Sequence, residues 1–219
     1  FMEMAEAGIT QVGEFHYLHH QRDGTRYDDP DLLARRVIAA ALDVGIRICL
    51  LRVAYERNGA NQALRGDQLR FGDRSATEPL DALDRLRDIA EHRVTLGIAP
   101  HSVRALGLAS LRRLSSFDGP VHAHVSEQPA EIAGCRAEHG LTPLQVLDDA
   151  GLVTDRFVAV HMTHPEASDL EILRGRDAAI CVCPSTELDL GDGFLPVEAR
   201  SVRLCLGSDS QASIEPFAE

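Results

Sequence analysis

Side chains that bind metals or carry protons recur at the ends of apolar runs in this chain. Histidine and carboxylate groups are the ligands that zinc-like metals accept, and both also act as acids and bases in catalysis. Because the carboxyl ends of parallel strands meet at one face of a barrel, this placement predicts a shared active site. The segments concerned are residues 121–128, 160–164, 183–187 and 207–210.

Composition and charge restrict the class of protein. A chain of 219 residues that is 44% hydrophobic and 26% charged can bury a sizeable core, and we predict one domain over residues 1–219. The net charge of −12 argues against nucleic acid and against an anionic membrane surface as partners, because both attract basic patches. No apolar run approaches the roughly 18 residues of a membrane-spanning helix.

The five cysteines show no regular spacing. An odd number of cysteines, most of them inside apolar runs, is typical of buried free thiols in a reducing compartment, so we predict a cytoplasmic protein. Cys181 and Cys183 form a C-x-C pair that could contribute to a zinc site, but the sequence offers no second pair to complete it. Packing is therefore the preferred interpretation of this pair.

Strand-like and helical patterns alternate along the chain. This alternation predicts an α/β protein whose mostly parallel sheet is covered by helices. A doubly wound open sheet satisfies the pattern too, but polar residues at the strand ends favour a (β/α)8 TIM barrel. The predicted strands are residues 9–17, 47–55, 94–100, 121–125, 157–162, 178–183 and 202–206. The predicted helices are residues 31–44, 78–92, 102–114, 129–150 in two pieces, and 165–173, and residues 56–77 are predicted to form a long loop.

Two groups of motifs resemble a known family. His124 and Glu127 in the spacing H-x-x-E, followed by His161 and by the Ser-Asp-Ser sequence around Asp209, resemble the deaminase branch of the amidohydrolase superfamily. Four longer segments resemble, in the same order, the formimidoylglutamate deiminases of histidine degradation. These segments are residues 13–20, 99–104, 122–128 and 183–193, and the likeness extends from residue 8 to residue 210.

The resemblance implies one zinc ion per chain and assigns roles to four residues. His124 and Asp209 are the implied zinc ligands, and Asp209 also accepts a proton from the attacking water. Zinc lowers the pKa of water and so supplies hydroxide as the nucleophile. Glu127 is the implied general acid toward the departing nitrogen, and His161 steadies the water or the tetrahedral intermediate. His122 shares a strand face with His124 and is expected to pack behind the site.

Three further residues are implied to hold the substrate. A helix beginning at Ser102 would place His101 and Arg104 near its N-terminus, where backbone N–H groups favour anions, and Arg104 adds a planar group suited to a carboxylate. The resemblance assigns His101 and Arg104 to the glutamate portion of the substrate and adds Tyr17 from the second barrel strand. The implied partner is a small dianionic molecule, and the resemblance also implies a possible homodimer.

One departure from the family concerns the metal. Amidohydrolases supply two zinc ligands from an H-x-H at the end of the first barrel strand, and the seven predicted strands leave that strand out. His122 and His124 have the same spacing but lie on the wrong strand to replace it. The small β-sandwich usual in the family is missing as well. We therefore expect an incomplete barrel that belongs to a longer enzyme.

The function implied is the zinc-dependent hydrolysis of N-formimidoyl-L-glutamate to N-formyl-L-glutamate and ammonia. An aminohydrolase acting on a guanine, cytosine or adenosine ring is the alternative within enzymes, although a chain with no tryptophan and 5% aromatic residues offers little stacking surface. If the protein is not an enzyme, the alternative is a non-catalytic barrel that binds a carboxylate ligand or a partner chain.

Overall fold

Strands and helices alternate along the chain. The computed structural model describes residues 1–210, so residues 211–219 of the predicted single domain lie outside the described part. The strands are β1 (Gln11–His16), β2 (Arg47–Ala54), β3 (Val94–Pro100), β4 (Val121–Val125), β5 (Phe157–His161), β6 (Ala179–Val182) and β7 (Arg203–Leu206). The α-helices are α1 (Met2–Glu6), α2 (Leu32–Val44), α3 (Thr77–Arg85), α4 (Leu108–Leu114), α5 (Pro129–His139), α6 (Pro143–Asp149), α7 (Ala167–Gly175) and α8 (Pro184–Leu190).

The strands form one parallel sheet of seven in the order of the sequence, from β1 to β7. This sequential order is that of a (β/α)8 barrel, and the predicted barrel class is confirmed. The doubly wound alternative is wrong, because that fold requires a reversal of strand order within the sheet. The barrel is incomplete: within residues 1–210, β1 and β7 are the edges of the sheet and are not paired with each other.

The alternation of side chains along β4 decides which of them enter the core. Val121, Ala123 and Val125 are buried in the main apolar cluster, where Leu144 and Leu147 of α6 also lie. The two histidines between them, only partly buried, therefore point to the opposite face of the sheet. Burial of the apolar members thus fixes the direction of His122 and His124.

Glycine ends helices α2 and α5, and proline begins helix α6. Gly45 follows α2 with φ of 92° and Gly140 follows α5 with φ of 73°, in the left-handed region that glycine adopts without a steric cost. Pro143 then opens α6, which Thr142 caps by accepting a hydrogen bond from the Gln145 N–H. Within residues 1–210, no helix combines the length and the apolar character needed to cross a membrane.

The predicted helix over residues 102–114 is wrong in its first half, since α4 begins only at Leu108. Tertiary hydrogen bonds hold the preceding segment in turns instead. The N–H of His101 donates to Ala54 O at 3.1 Å, and the N–H groups of Glu56 and Arg57 both donate to Ala105 O. These bonds to the end of β2 outweigh the helical tendency of the local sequence.

The prediction of buried cysteines is also wrong at one position. Cys135 and Cys183 are buried and Cys49 and Cys181 partly so, but Cys205 is exposed. Its strand, β7, is an edge of the described sheet, so no neighbouring strand covers it there. All five thiols are free.

Candidate active site

A single hydrogen bond sets the orientation of His124, which lies on the inner face of β4. His124 Nδ1 lies 2.9 Å from the carbonyl oxygen of His101. Because a carbonyl only accepts, Nδ1 carries the proton and Nε2 keeps its lone pair. Burial lowers the pKa of His124 to about 4, although this hydrogen bond acts in the opposite direction. The imidazole is thus neutral at pH 7, as a metal ligand must be.

His161 ends β5 between two carboxylates. Its Nδ1 lies 3.2 Å from Glu187 Oε1, and its Nε2 lies 3.7 Å from Glu127 Oε1. Burial lowers the pKa of His161, but the hydrogen bond with Glu187 and the charges of Glu127 and Asp209 outweigh it, so the pKa lies above its usual value. Backbone strain accompanies this placement, since His161 and Met162 have φ of 72° and 56°.

Three donor atoms converge at the carboxyl ends of β4, β5 and β7. One ligand atom each from His124, His161 and Asp209 lie within 4.8 Å of one another, and His124 Nε2 is 4.0 Å from Asp209 Oδ1. The neutral imidazole of His124 and the carboxylate of Asp209 are donors that suit zinc, and His161, whose pKa is raised, adds a hydrogen-bond donor beside them. His161, Cys183 and Glu187 form a second such group, but Glu187 Oε1 already accepts hydrogen bonds from the Cys183 N–H and from His161. The first group is the better candidate metal site.

Glu127 lies beside these donors on the turn that follows β4. Burial raises the pKa of Glu127, His161 opposes this effect, and the nearby charges of Asp192 and Asp209 add to it. A carboxyl group with a raised pKa keeps its proton to higher pH than an ordinary glutamate. Such a group can donate a proton to a leaving nitrogen.

An aromatic cluster lines the same end of the sheet. The ring of His101 lies 4.7 Å from that of His124, 4.8 Å from that of Tyr55 and 5.8 Å from that of Tyr17. Phe71 contacts both tyrosine rings. Burial, followed by the charge of Asp209, raises the pKa of Tyr17, so its hydroxyl stays protonated and can donate a hydrogen bond.

Arg104 lies at the exposed edge of this cluster. Its guanidinium has no hydrogen-bond or ion-pair partner among residues 1–210, yet its charge influences Tyr17, His101 and Glu127. The helix N-terminus predicted to assist it is absent, because α4 begins four residues later. Without the helix N-terminus, the positive charge of Arg104 is the feature of this segment that can attract an anion.

A sequence profile described as the Amidohydrolase family matches residues 1–218. The chain belongs to the amidohydrolase family. It is 38% identical to formimidoylglutamate deiminase of Pseudomonas aeruginosa over 229 aligned positions, which cover 100% of this chain and 50% of that protein. The chain therefore spans about half the length of this curated relative.

Solved structures of the family share the fold. An amidohydrolase from Brucella melitensis superimposes with a TM-score of 0.90 at 35% identity, covering 100% of this chain and 50% of that one. An adenosine deaminase from Xanthomonas campestris, solved with bound zinc, superimposes with a TM-score of 0.75 at 27% identity. The match covers 100% of this chain and 46% of the deaminase chain. Both relationships support the assignment of an incomplete amidohydrolase barrel.

The structure gathers the residues predicted to do chemistry and adds others. His124, His161, Asp209 and Glu127 lie together, while His122 contacts the ring of Phe15 at 6.0 Å and takes no part in the donor groups found in residues 1–210. Sequence reasoning gave no role to Glu187, Tyr55, Glu131 or Thr163. Among these, Thr163 and Glu187 carried a signal, because both lie in segments already singled out at strand ends.

Proposed function

We propose that the full-length protein hydrolyses the formimidoyl group of N-formimidoyl-L-glutamate in a metal-dependent reaction. The observation that carries this proposal is the group formed by His124, His161 and Asp209 beside Glu127, with Arg104 at its edge, whose guanidinium has no partner among residues 1–210. The similarity to a formimidoylglutamate deiminase over the whole chain supports the same reaction.

The residues present fit a zinc ion. His124 offers Nε2 with its lone pair free, and Asp209 offers a carboxylate oxygen 4.0 Å away. A zinc ion held there would activate water as the nucleophile. We further propose that additional ligands come from an H-x-H outside these 219 residues, as the family resemblance implies.

The chain's own residues would move the protons of the reaction. Water adds to the amidine carbon, and Asp209 accepts the proton that the water gives up. His161 donates a hydrogen bond to the developing tetrahedral centre, to which its raised pKa suits it. Glu127 passes its proton to the imino nitrogen as the water adds. As the C–N bond breaks, the hydroxyl proton of the tetrahedral carbon returns to Glu127, and the proton held by Asp209 passes to the departing nitrogen. Ammonia leaves, the carbon retains the oxygen of water, and N-formyl-L-glutamate remains.

The outer residues would hold the two carboxylates of the substrate. Arg104 provides a fixed positive charge, and Tyr17 provides a hydroxyl that stays protonated. Burial, with the charges of His124 and Arg104, holds the pKa of His101 well below its usual value, so His101 would act as a neutral hydrogen-bonding group. These three groups recognise a small dianion better than an uncharged ring.

Hydrolysis of an amino group on a purine ring is the second candidate. The aromatic rings of Tyr17, Tyr55 and Phe71 gather beside His101, which provides the stacking surface that composition alone did not predict. The superposition on an adenosine deaminase supports this candidate too. The positive charge of Arg104 beside Tyr17, His101 and Glu127 favours the dianion instead.

Ammonia release by the full-length, zinc-loaded protein tests the proposal. The substrates are N-formimidoyl-L-glutamate, adenosine, guanine and cytosine, and Glu127→Gln serves as the inactive control. We expect turnover of formimidoylglutamate that Glu127→Gln reduces by about a hundredfold or more. Turnover of a ring substrate without turnover of formimidoylglutamate would overturn the proposal in favour of the second candidate.

A further inference from the structure

The turn that carries Glu127 has an unusual backbone. Ser126 has a φ of 51°, in the left-handed region that side chains other than glycine rarely adopt, and it is fully buried. A conformation of this kind persists only where its surroundings hold it, and such positions concentrate at functional sites. The contacts that hold this turn therefore determine where the Glu127 carboxyl lies.

Glu131 holds the turn from the side of α5. Its Oε2 accepts a hydrogen bond from the backbone N–H of Glu127 at 3.0 Å. Its other oxygen, Oε1, is buried and has no hydrogen-bond partner among residues 1–210. A buried carboxyl that keeps only one backbone contact is costly for the fold, which indicates a role other than stability.

Thr163 holds the turn from the side of β5. Its hydroxyl donates to Glu127 O at 2.6 Å and lies 3.1 Å from Ser126 O, while the N–H of His164 donates to Ser126 O at 3.1 Å. Thr163 follows His161 by two residues, so one side chain links the segment that carries His161 to the turn that carries Glu127. His161 Nε2 and Glu127 Oε1, which these two segments carry, lie 3.7 Å apart.

We propose that Glu131 and Thr163 are positioning residues that fix the Glu127 carboxyl against His161 by holding the N–H and the C=O of Glu127. Neither side chain needs to touch the substrate. Displacement of a proton donor by about 1 Å can slow a reaction by about a hundredfold without weakening substrate binding. The kinetic part of this proposal rests on the proposed function, in which Glu127 is the proton donor.

Matched variants of the full-length, metal-loaded protein test it. Thr163→Val and Glu131→Met remove the contacts with little change in shape, whereas Thr163→Ser and Glu131→Gln keep an oxygen at each position. Thr142→Val is the control, because Thr142 is another buried threonine whose hydroxyl donates to a carboxylate, Asp169, at 2.6 Å.

We expect Thr163→Val and Glu131→Met to lower kcat by about tenfold to a hundredfold with KM within about twofold of wild type. Thr163→Ser and Glu131→Gln should restore most of kcat, and Thr142→Val should leave kcat per folded molecule unchanged. A kcat for Thr163→Val within about twofold of wild type, or a loss shared with Thr142→Val, would overturn the proposal.

Hydrogen exchange at the Glu127 amide separates this proposal from the assigned reaction. If wild type fails to turn over formimidoylglutamate, the proposed function fails, and the exchange rates still decide the inference. Faster exchange at this amide in Glu131→Met and Thr163→Val, but not in Thr142→Val, supports it. If the Glu127 amide exchanges at the wild-type rate in Glu131→Met, the positioning role of Glu131 is refuted, whichever substrate the enzyme uses.

Discussion

His124 and His161 each owe their chemical state to one neighbour on another element. The carbonyl of His101 accepts a hydrogen bond from the Nδ1–H of His124, which leaves the lone pair of Nε2 free toward Asp209. The carboxylate of Glu187 accepts a hydrogen bond from Nδ1 of His161. One imidazole is therefore neutral and suited to a metal, while the pKa of the other is raised.

Replacing Glu187 with Gln should lower the pKa of His161. The carboxylate stabilises the imidazolium form, and a neutral amide at the same position removes that charge, so we expect the pKa of His161 to fall below its value in wild type. NMR titration of the His161 ring in the metal-free full-length protein measures it. Glu171→Gln, at an exposed position on α7, is the control. An equal pKa in Glu187→Gln and wild type would contradict this account of His161.

Glu131 should make stability depend on pH in a predictable direction. Burial raises the pKa of Glu131 from 4.5 to about 7. The folded protein thus binds this proton more tightly than the unfolded chain does. The resulting stabilisation is complete below pH 4.5 and is lost as pH rises to about 7.

Glu131→Gln cannot titrate, so the stability of wild type relative to this variant should fall across the same range. Urea unfolding of both proteins at about pH 5 and about pH 8 measures the difference. A difference in unfolding free energy that is equal at the two pH values would show that Glu131 titrates normally.

Much of the site could be predicted from residue type and position. His124, Glu127, His161 and Asp209 were recognisable because each lies at or just after the end of an apolar run and because the motifs around them resemble those of the amidohydrolases. The supporting roles of Glu131 and Thr163 were not recognisable, because they consist of hydrogen bonds to backbone atoms of a turn. Such contacts depend on how β5 and α5 approach that turn, and no spacing in the sequence records this.

At the scale of elements, the strands followed from apolar patterns, and β3 and β4 have the predicted bounds. The start of α4 did not follow, because hydrogen bonds from the end of β2 hold residues 101–105 in turns. Helix α8 was missed as well: its segment, residues 184–190, is short and has largely exposed apolar residues such as Leu188 and Leu190. Pro184 in its first turn and Gly191 after its last residue are boundary signals, but without an apolar period they do not by themselves predict a helix.

Arg57 should control substrate binding through the segment that carries His101 and Arg104. Its Nε donates to Arg104 O at 3.1 Å and its Nη2 to Val103 O at 3.0 Å, while Glu138 of α5 pairs with the same guanidinium at 2.8 Å. Arg57→Ala releases these carbonyls and loosens the turn. We expect KM for formimidoylglutamate to rise about tenfold with little change in kcat.

Steady-state kinetics of Arg57→Ala beside Arg136→Ala measure the effect. Arg136 pairs with Glu166 on the exposed face of α5 and is a matched arginine without contacts to this turn. A fall in kcat at unchanged KM would mean that Arg57 supports the chemical step instead.

At the scale of the molecule, the parallel sheet brings residues that are far apart in sequence to one end. Tyr17 follows β1 and Asp209 follows β7, so the first and last strands both contribute to the site. The sheet order explains this convergence, because each strand in turn delivers its carboxyl end to the same face. The barrel class could be predicted from alternation and strand-end polarity, whereas the aromatic cluster around His101 required the three-dimensional arrangement.

Metal analysis of the full-length protein tests whether His124 and Asp209 hold a zinc ion. We predict about one zinc ion per chain in wild type and in Glu127→Gln, which keeps the metal ligands but loses the proton donor. We predict metal near background in His124→Ala and in Asp209→Ala, with loss of ammonia release from formimidoylglutamate in all three variants. Wild-type protein that releases ammonia with no metal above background, or Asp209→Ala that keeps both its zinc and its activity, would contradict the account.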